Sequence, residues 1–328
     1  MHNFSTNDIF AIRSFDEFEK LSIKIFNYQA KYNKVYKEYL FHLGINTSSI
    51  NTLADIPFLP IEFFKTHKVI VDSKKTEKVF YSSGTTGQKS NHFIHDLTLY
   101  EKSFYAAFEN QYGDLKDTCI LALLPNYLEN ESSSLVYMVD HLIQKSNHRE
   151  SGFYLNNLKD LAGKLQDLQK LKTKCILIGV SYALIDLAEK FPMQLSNTII
   201  METGGMKGKR KELTKLELHK FLSSKFGLKS IHSEYGMTEL LSQAYSKEKG
   251  RFFSPSWMKI LIRDTYDPFT YLEKGKSGGI NIIDLANVYS CSFIESKDLG
   301  KINPDGSFEI LGRFDHSDIR GCNLLIAE

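Results

Sequence analysis

Two stretches of the chain carry side chains suited to holding an anion and a hard cation. Residues 81 to 92 read YSSGTTGQKSNH. Ser82, Ser83, Thr85 and Thr86 supply hydroxyls, while Gly84 and Gly87 free the backbone to curl, so several N–H and O–H donors can share one concavity. That is a phosphate-binding composition. The spacing is not that of the mononucleotide loop G-x-x-x-x-G-K-[ST], because the two glycines stand three apart and Gln88 follows the second. A serine-rich linker is the competing reading. Further on, Glu202-Thr203-Gly204-Gly205 offers a glycine pair where backbone can approach a planar ligand. In Glu234-Tyr235-Gly236-Met237-Thr238-Glu239, the tyrosine offers a ring face, the threonine a hydroxyl, and Glu239 a carboxylate of the kind Mg²⁺ prefers. Taken singly each is weak: a glycine pair is usually a turn, and Glu239 heading ELLSQAYS reads equally as a first-turn helix charge.

These residues need elements to position them. Four short apolar runs read as buried strands: TCILALLP (118 to 125), KCILIGV (174 to 180), NTIIMETGG (197 to 205) and KSIHSEYG (229 to 236). Helical patterns separate them, in NNLKDLAGKLQDLQKL, SYALIDLAEKF and KRKELTKLELHKFLSSKF. This alternation predicts an α/β, doubly wound, mainly parallel sheet with ligands at the carboxyl ends of its strands, where the residues above fall. The glycine loop, between Lys78-Val79-Phe80 and FIHDLTLYEKSFYAAFE, is expected to feed a helix. Upstream, apolar residues recur at helical spacing from Phe15 to Leu43, as one amphipathic segment broken at most once, and the stripe Phe15, Phe18, Leu21, Ile25, Tyr28, Tyr32, Tyr36 and Tyr39 reads as a packing face. Pro57 and Pro60 then make IPFLPIEFFKTHKV an apolar strap. Beyond residue 250 the helical period gives way to short alternating runs and turns such as NPDGS, a smaller β-rich subdomain. The expected organisation is a helical N-terminal segment and strap (1–75), an α/β nucleotide-binding core (76–250), and a β-rich subdomain with a hinge motif and a cysteine-bearing tail (251–328).

Composition narrows the partners. Lys plus Arg number 41 against 39 Asp plus Glu, and the isoelectric point is near 8.1, so no strong field favours nucleic acid or an anionic membrane. Cysteines stand at 119, 175, 291 and 322 without C-x-x-C or metal-type spacing, which suits a reducing compartment. With no signal-peptide pattern and no long apolar run, a cytoplasmic location is expected.

In order along the chain, YSSGTTG, GG, EYGMTE, SKDLG (296 to 300) and LGRFDHSDIRG (311 to 321) together resemble the motif series of the adenylate-forming superfamily. IPFLPIEFFKTHKV and LLPNYLENESSSLVYMVDHLI point more narrowly to the acyl-protein synthetases of bacterial bioluminescence operons and their relatives. The resemblance covers most of the chain from about Ile56 onward. It implies an ATP- and Mg²⁺-dependent, AMP-forming enzyme that turns a carboxylic acid, expected to be a fatty acid, into an acyl-adenylate. Ser82, Ser83, Gly84, Thr85, Thr86 and Gly87 match the phosphate loop; Thr238 and Glu239 match the residues at the α-phosphate and the magnesium. Gly204, Gly205 and Tyr235, with Glu234 and Gly236 beside it, match the adenine pocket. Asp298 falls where the superfamily holds the ribose hydroxyls, and Arg313 lies in the hinge motif at the same sugar. An acid oxygen meeting a phosphate brings two anions together, which accounts for the donors and the carboxylate-bound cation.

Departures from the superfamily shape the rest of the reading. Gln88-Lys89-Ser90 replaces the usual proline and lysine, so Lys89 is not assigned the lysine's role. The hinge is one residue short, and the chain stops at Glu328, without the C-terminal lid of on the order of a hundred residues, a small domain's length, that full members add. Cys322 stands nine residues past Arg313; at roughly 3.3 Å per extended residue this tail spans up to about 30 Å, enough to reach a nucleotide in the same domain. His316 and Arg320 nearby would favour its thiolate, and the luminescence-type synthetases likewise carry the acyl group on a cysteine near the C-terminus. Cys322 is therefore the expected acyl carrier, with an inert cysteine as the competing reading. Cys119 and Cys175 read as core residues and Cys291 stays undecided. His92, and less so His95, is expected at the acid site unless it merely caps or packs. A reductase, an acyltransferase or an acyl carrier protein is the expected partner. Direct transfer to coenzyme A or a carrier protein, and a nucleotide-binding scaffold without catalysis, remain as alternatives.

Overall fold

A computed structural model describes residues 4–72, 74–82, 88–124, 132–155, 157–204 and 213–314. The N-terminal part holds α1 (Thr6–Phe10), α2 (Phe15–Tyr32), α3 (Lys34–His42), the two-residue strand β1 (Leu59–Pro60) and the single turn α4 (Phe63–Thr66). Ser14 caps α2 by accepting the Glu17 N–H. The one break in this helical segment is Asn33, whose side chain accepts the Tyr36 N–H to start α3 and donates to the Ser290 carbonyl. The aromatic stripe packs inward at Phe18, Tyr28 and Tyr36, while Phe15 and Tyr32 remain exposed.

The central part runs β2 (Lys78–Tyr81), β3 (Asn91–Ile94), α5 (Leu97–Tyr112), β4 (Cys119–Leu123), α6 (Ser134–Ser146), β5 (Gly152–Tyr154), α7 (Leu158–Lys170), β6 (Cys175–Val180), α8 (Ser181–Lys190), β7 (Thr198–Thr203), α9 (Lys215–Phe226), β8 (His232–Tyr235) and β9 (Ala244–Ser246). The six-stranded sheet has the order β5-β4-β6-β7-β8-β9, parallel throughout except for the antiparallel edge strand β9. Strands β4 and β6 are buried along their whole length, which is why they read as unbroken apolar runs. Cys119 and Cys175 are direct partners across them and are both buried.

The glycine loop does not feed a helix. Its flanks, β2 and β3, form an antiparallel hairpin, and α5 begins only after the Asp96 cap. The hairpin neck is closed by Ser82 N–H donating to the Ser90 carbonyl at 3.1 Å and Ser90 N–H donating to Ser82 Oγ at 2.9 Å.

The last part contains β10 (Met258–Arg263), β11 (Ser277–Asp284), β12 (Phe293–Ile302) and β13 (Phe308–Arg313). They form an antiparallel sheet to which the strap adds β1, parallel to β12. Gln29 of α2 donates to the carbonyls of Asn287 and Val288, tying the N-terminal helices to this sheet. No described helix is long and apolar enough to cross a membrane.

Candidate active site

The carboxyl ends of β7 and β8 meet the turn that follows β8 and, through Tyr235 and Asp298, the middle of β12. Residues 238 and 239 lie in a turn closed by Leu240 N–H donating to the Met237 carbonyl, so Glu239 does not open a helix. Its side chain is buried; desolvation raises its carboxyl, and a hydrogen bond from Ser90 and the charge of Arg313 partly offset this. Ser90 belongs to the glycine-loop hairpin, so this hydroxyl–carboxyl contact joins that hairpin to the Glu239 turn.

Two residues far away in sequence hold the turn. Asn287 donates its amide to the Glu239 carbonyl at 2.7 Å. The Asp284 carboxylate accepts the N–H groups of Leu241 and Ser242 and the Ser242 hydroxyl, and burial pushes it up to about 6 despite those bonds. Trp257 Nε1 donates to the same Ser242 hydroxyl. Nothing in the local sequence around Asp284 or Asn287 marks them out, since their partners lie more than 40 residues away.

His92 differs from expectation. It is fully buried, its Nδ1–H donates to the Thr238 carbonyl at 2.8 Å, its Nε2 lies 3.0 Å from Asn287 Oδ1, and the Phe64 ring stands edge-on to it. Burial pushes it down to about 4, so the ring is neutral at physiological pH. On β3 the side chains alternate, and His92 takes the inward position. It supports the Glu239 turn from behind instead of lining an open acid site. His95 donates from Nδ1 to the Lys75 carbonyl at 2.7 Å and packs against Tyr289, well away from this turn in the contacts it makes.

Tyr235, Asp298 and Arg313 come together from β8, β12 and β13. The Tyr235 hydroxyl donates to Asp298 Oδ2 at 2.7 Å, and Arg313 Nε lies 3.1 Å from Asp298 Oδ1. Asp298 and Arg313 are direct partners in the antiparallel ladder, so pairing register makes this ion pair. Asp298 is buried, whereas the Arg313 side chain is 70% exposed. Gly204 adopts φ +67°, a left-handed conformation for which glycine is the natural residue, and its carbonyl accepts the Ser181 hydroxyl at 2.8 Å. Behind it Glu202 is buried, with Lys215 Nζ at 2.5 Å and His219 Nε2 at 3.4 Å. Burial alone would raise Glu202; the Lys215 charge and the hydrogen bonds outweigh it and hold the carboxyl near 2.

Glu234 departs from the adenine side. Side chains alternate along a strand, so Glu234 projects from the face of β8 opposite to Tyr235. There it accepts a hydrogen bond from Thr203, its partner on β7, and burial pushes it up to about 7. Gly236 stays exposed beside it. Ser83, Gly84, Thr85, Thr86, Gly87, Gly205 and Cys322 lie outside the described residues. The other three cysteines are all buried, and burial pushes the Cys291 thiol up to about 12. Among the described residues no three His, Cys, Asp or Glu side chains gather as a metal cage.

This fold is shared with adenylate-forming ligases. A 2-hydroxyisobutyryl-CoA ligase in the postadenylation state with 2-HIB-AMP superposes with a TM-score of 0.67 at 13% identity, over 92% of this chain and 68% of that one. ATP-bound MatB from Rhodopseudomonas palustris matches with a TM-score of 0.56 at 17% identity, over 72% of this chain and 47% of its own, so this chain accounts for about half of MatB's length. The AMP complex of O-succinylbenzoate coenzyme A synthetase (MenE) from Bacillus subtilis gives 0.50 at 19% identity, over 75% and 50%. No curated protein matches the chain. Residues 13–328 match the family described as Acyl-protein synthetase, LuxE, and the chain belongs to that family.

Proposed function

We propose that the protein is an AMP-forming acyl-activating enzyme. A carboxylate oxygen of the acid attacks the α-phosphorus of ATP, the bond to the bridging oxygen breaks, and pyrophosphate leaves. The observation that carries this reading is the meeting of the glycine-loop hairpin, the Glu239 turn and the Tyr235–Asp298–Arg313 triad at one sheet edge. In it the hairpin loop, from Ser82 through Gly87, cradles the phosphates, with Thr238 adding a hydroxyl. Gly204 and Gly205 bound the adenine, Tyr235 and Gly236 lie along it, and Asp298 with Arg313 holds the ribose. The structural relatives were captured with ATP, AMP or an acyl-adenylate, which supports a nucleotide at this edge. A desolvated lone carboxylate fits Mg²⁺, which is commonly held by one or two carboxylates and substrate phosphates. Glu239 would hold that ion, whose charge would neutralise the phosphate oxygens.

The second step passes the acyl group to Cys322: its thiolate attacks the acyl carbonyl and AMP leaves with the bonding pair. The burial of Cys119, Cys175 and Cys291 supports Cys322 as the carrier. From there the acyl group goes to a partner, a reductase, an acyltransferase or an acyl carrier protein, in the cytoplasm. Direct transfer to coenzyme A is the alternative acceptor chemistry. The test is acid-dependent exchange of labelled pyrophosphate into ATP over a panel of carboxylic acids. Glu239→Ala should lower it by about 10²-fold or more, the loss of one strong transition-state contact. Undiminished exchange in a folded Glu239→Ala protein removes Glu239 from the mechanism.

A further inference from the structure

Arg263, the last residue of β10, buries a charge that the nucleotide contacts above do not use. A buried guanidinium is costly unless its donors are taken up. Here Nη1 donates to the Ile280 carbonyl and to Asn281 Oδ1, both at 2.9 Å, and Nη2 donates to the Ser296 carbonyl at 2.8 Å. Glu295 Oε1 lies 3.4 Å from Nη2, and the ring of Phe314, the residue after Arg313, stands 5.6 Å from Cζ. The side chain crosses β11 where no other side chain stops it: a Cβ on Gly279, the ladder partner of Arg263, would lie 2.5 Å from Cζ.

The strand that Arg263 reaches is irregular at that point. Between the pairs Gly279–Leu299 and Asn281–Glu295, Ile280 alone on β11 faces Ser296, Lys297 and Asp298 on β12. Such a bulge interrupts the ladder and re-aims side chains that regular pairing would hold elsewhere. Side chains replace the lost ladder bonds. Arg263 takes the Ser296 carbonyl, while Ser296 Oγ donates to the Ile280 carbonyl at 2.9 Å and accepts the Asp298 N–H at 3.1 Å. A connected path, Arg263 to Ser296 to Asp298, therefore runs from the buried cation to the carboxylate that accepts the Tyr235 hydroxyl. Arginine suits this place because its rigid fork donates in several fixed directions at once.

We propose that Arg263 is a positioning residue for the nucleotide sugar: by holding the bulge at 296–298 it fixes the direction in which Asp298 presents its carboxylate to the ribose hydroxyls. This rests on the reading that Asp298 holds the ribose. Arg263 acts through Ser296 and Asp298, not by contact with the nucleotide, and Gly279 is the passage its side chain requires.

The test compares ATP with its dideoxy analogue, which lacks both ribose hydroxyls, by titration calorimetry on the full chain. Wild type should prefer ATP by about tenfold or more, the worth of hydrogen bonds to a carboxylate. Arg263→Met should remove most of that preference by weakening ATP binding while the affinity for the dideoxy analogue stays where it was. Gly279→Ala, which keeps the charge but pushes the guanidinium from its place, should do the same. A merely structural role would weaken both nucleotides alike and leave their ratio unchanged. Should Arg263→Met not fold, Ser296→Ala, which cuts the path at its middle, carries the same expectation. A wild type that prefers ATP, with folded variants that prefer it equally, overturns the role of Arg263 and leaves the ribose reading standing. A wild type without that preference defeats the ribose reading of Asp298, and the proposal falls with it.

Discussion

Replacing Lys215 with methionine should destabilise the protein by roughly 3 kcal/mol at pH 7, through a charge it leaves behind. Lys215 Nζ is the cation at 2.5 Å from buried Glu202. The Glu202 carboxyl is held near 2 against its ordinary 4.5. At 1.36 kcal/mol per pH unit that difference corresponds to roughly 3 kcal/mol. Breaking a buried pair by removing one partner costs about 3–5 kcal/mol, and the 30% exposure of Lys215 argues for the lower end. A carboxyl whose folded value is depressed stabilises the fold above its unfolded value, and that contribution fades as pH falls from 4.5 toward 2. The gap between wild type and Lys215→Met should therefore be widest near neutrality and shrink below pH 4.5. Urea unfolding followed by the fluorescence of Trp257, the single tryptophan, measures it at pH 7, 5 and 3.5. A variant within about 1 kcal/mol of wild type at pH 7, an ordinary surface effect, or a gap independent of pH, would refute this account of Glu202.

Asn287→Ala removes the donor on the Glu239 carbonyl, worth about 1–3 kcal/mol when left unsatisfied, so kcat/KM for MgATP in the exchange assay should fall by about 10–100-fold. An unchanged value would reduce this contact to packing. Tyr235→Phe deletes a hydrogen bond to a carboxylate, worth about 1.5–3 kcal/mol, and should weaken ATP binding by about tenfold or more in calorimetry. Cys322→Ser should lose the hydroxylamine-sensitive label formed with radiolabelled acid and MgATP while retaining exchange, since a serine hydroxyl stays protonated at neutral pH. Persistence of that label would move the carrier elsewhere, though not readily to buried Cys291.

Where burial is symmetrical or periodic, the chain announces its own structure. Strands β4 and β6, covered on both faces, appear as apolar runs, and the amphipathic α2 and α3 appear with the break that Asn33 imposes. Strands β5 and β9 are not legible in the sequence, because three residues are too few to establish a period. At four residues Asn91–Ile94 is also too short to show its period, so the sequence suggests a lead into a helix, and only pairing with Lys78–Tyr81 makes it a strand.

The same division runs through the site. The resemblance in motif order is what singles out Glu239, Tyr235, Asp298 and Arg313, and the fold brings the last three into direct contact. Direction and support were not legible. Glu234 and Tyr235 are neighbours in sequence, yet the pleat sends them to opposite faces, and sheet pairing decides which face meets Asp298 and which meets α5. His92 looked free to act until β3 turned it inward, and Asn287 and Asp284 acquire their roles only when β11 and the segment after it close on the turn at 238–242. Sequence alone determines which atoms are available for chemistry; tertiary structure decides which of them meet, because hydrogen bonds depend on distances of about 3 Å that spacing along the chain does not encode.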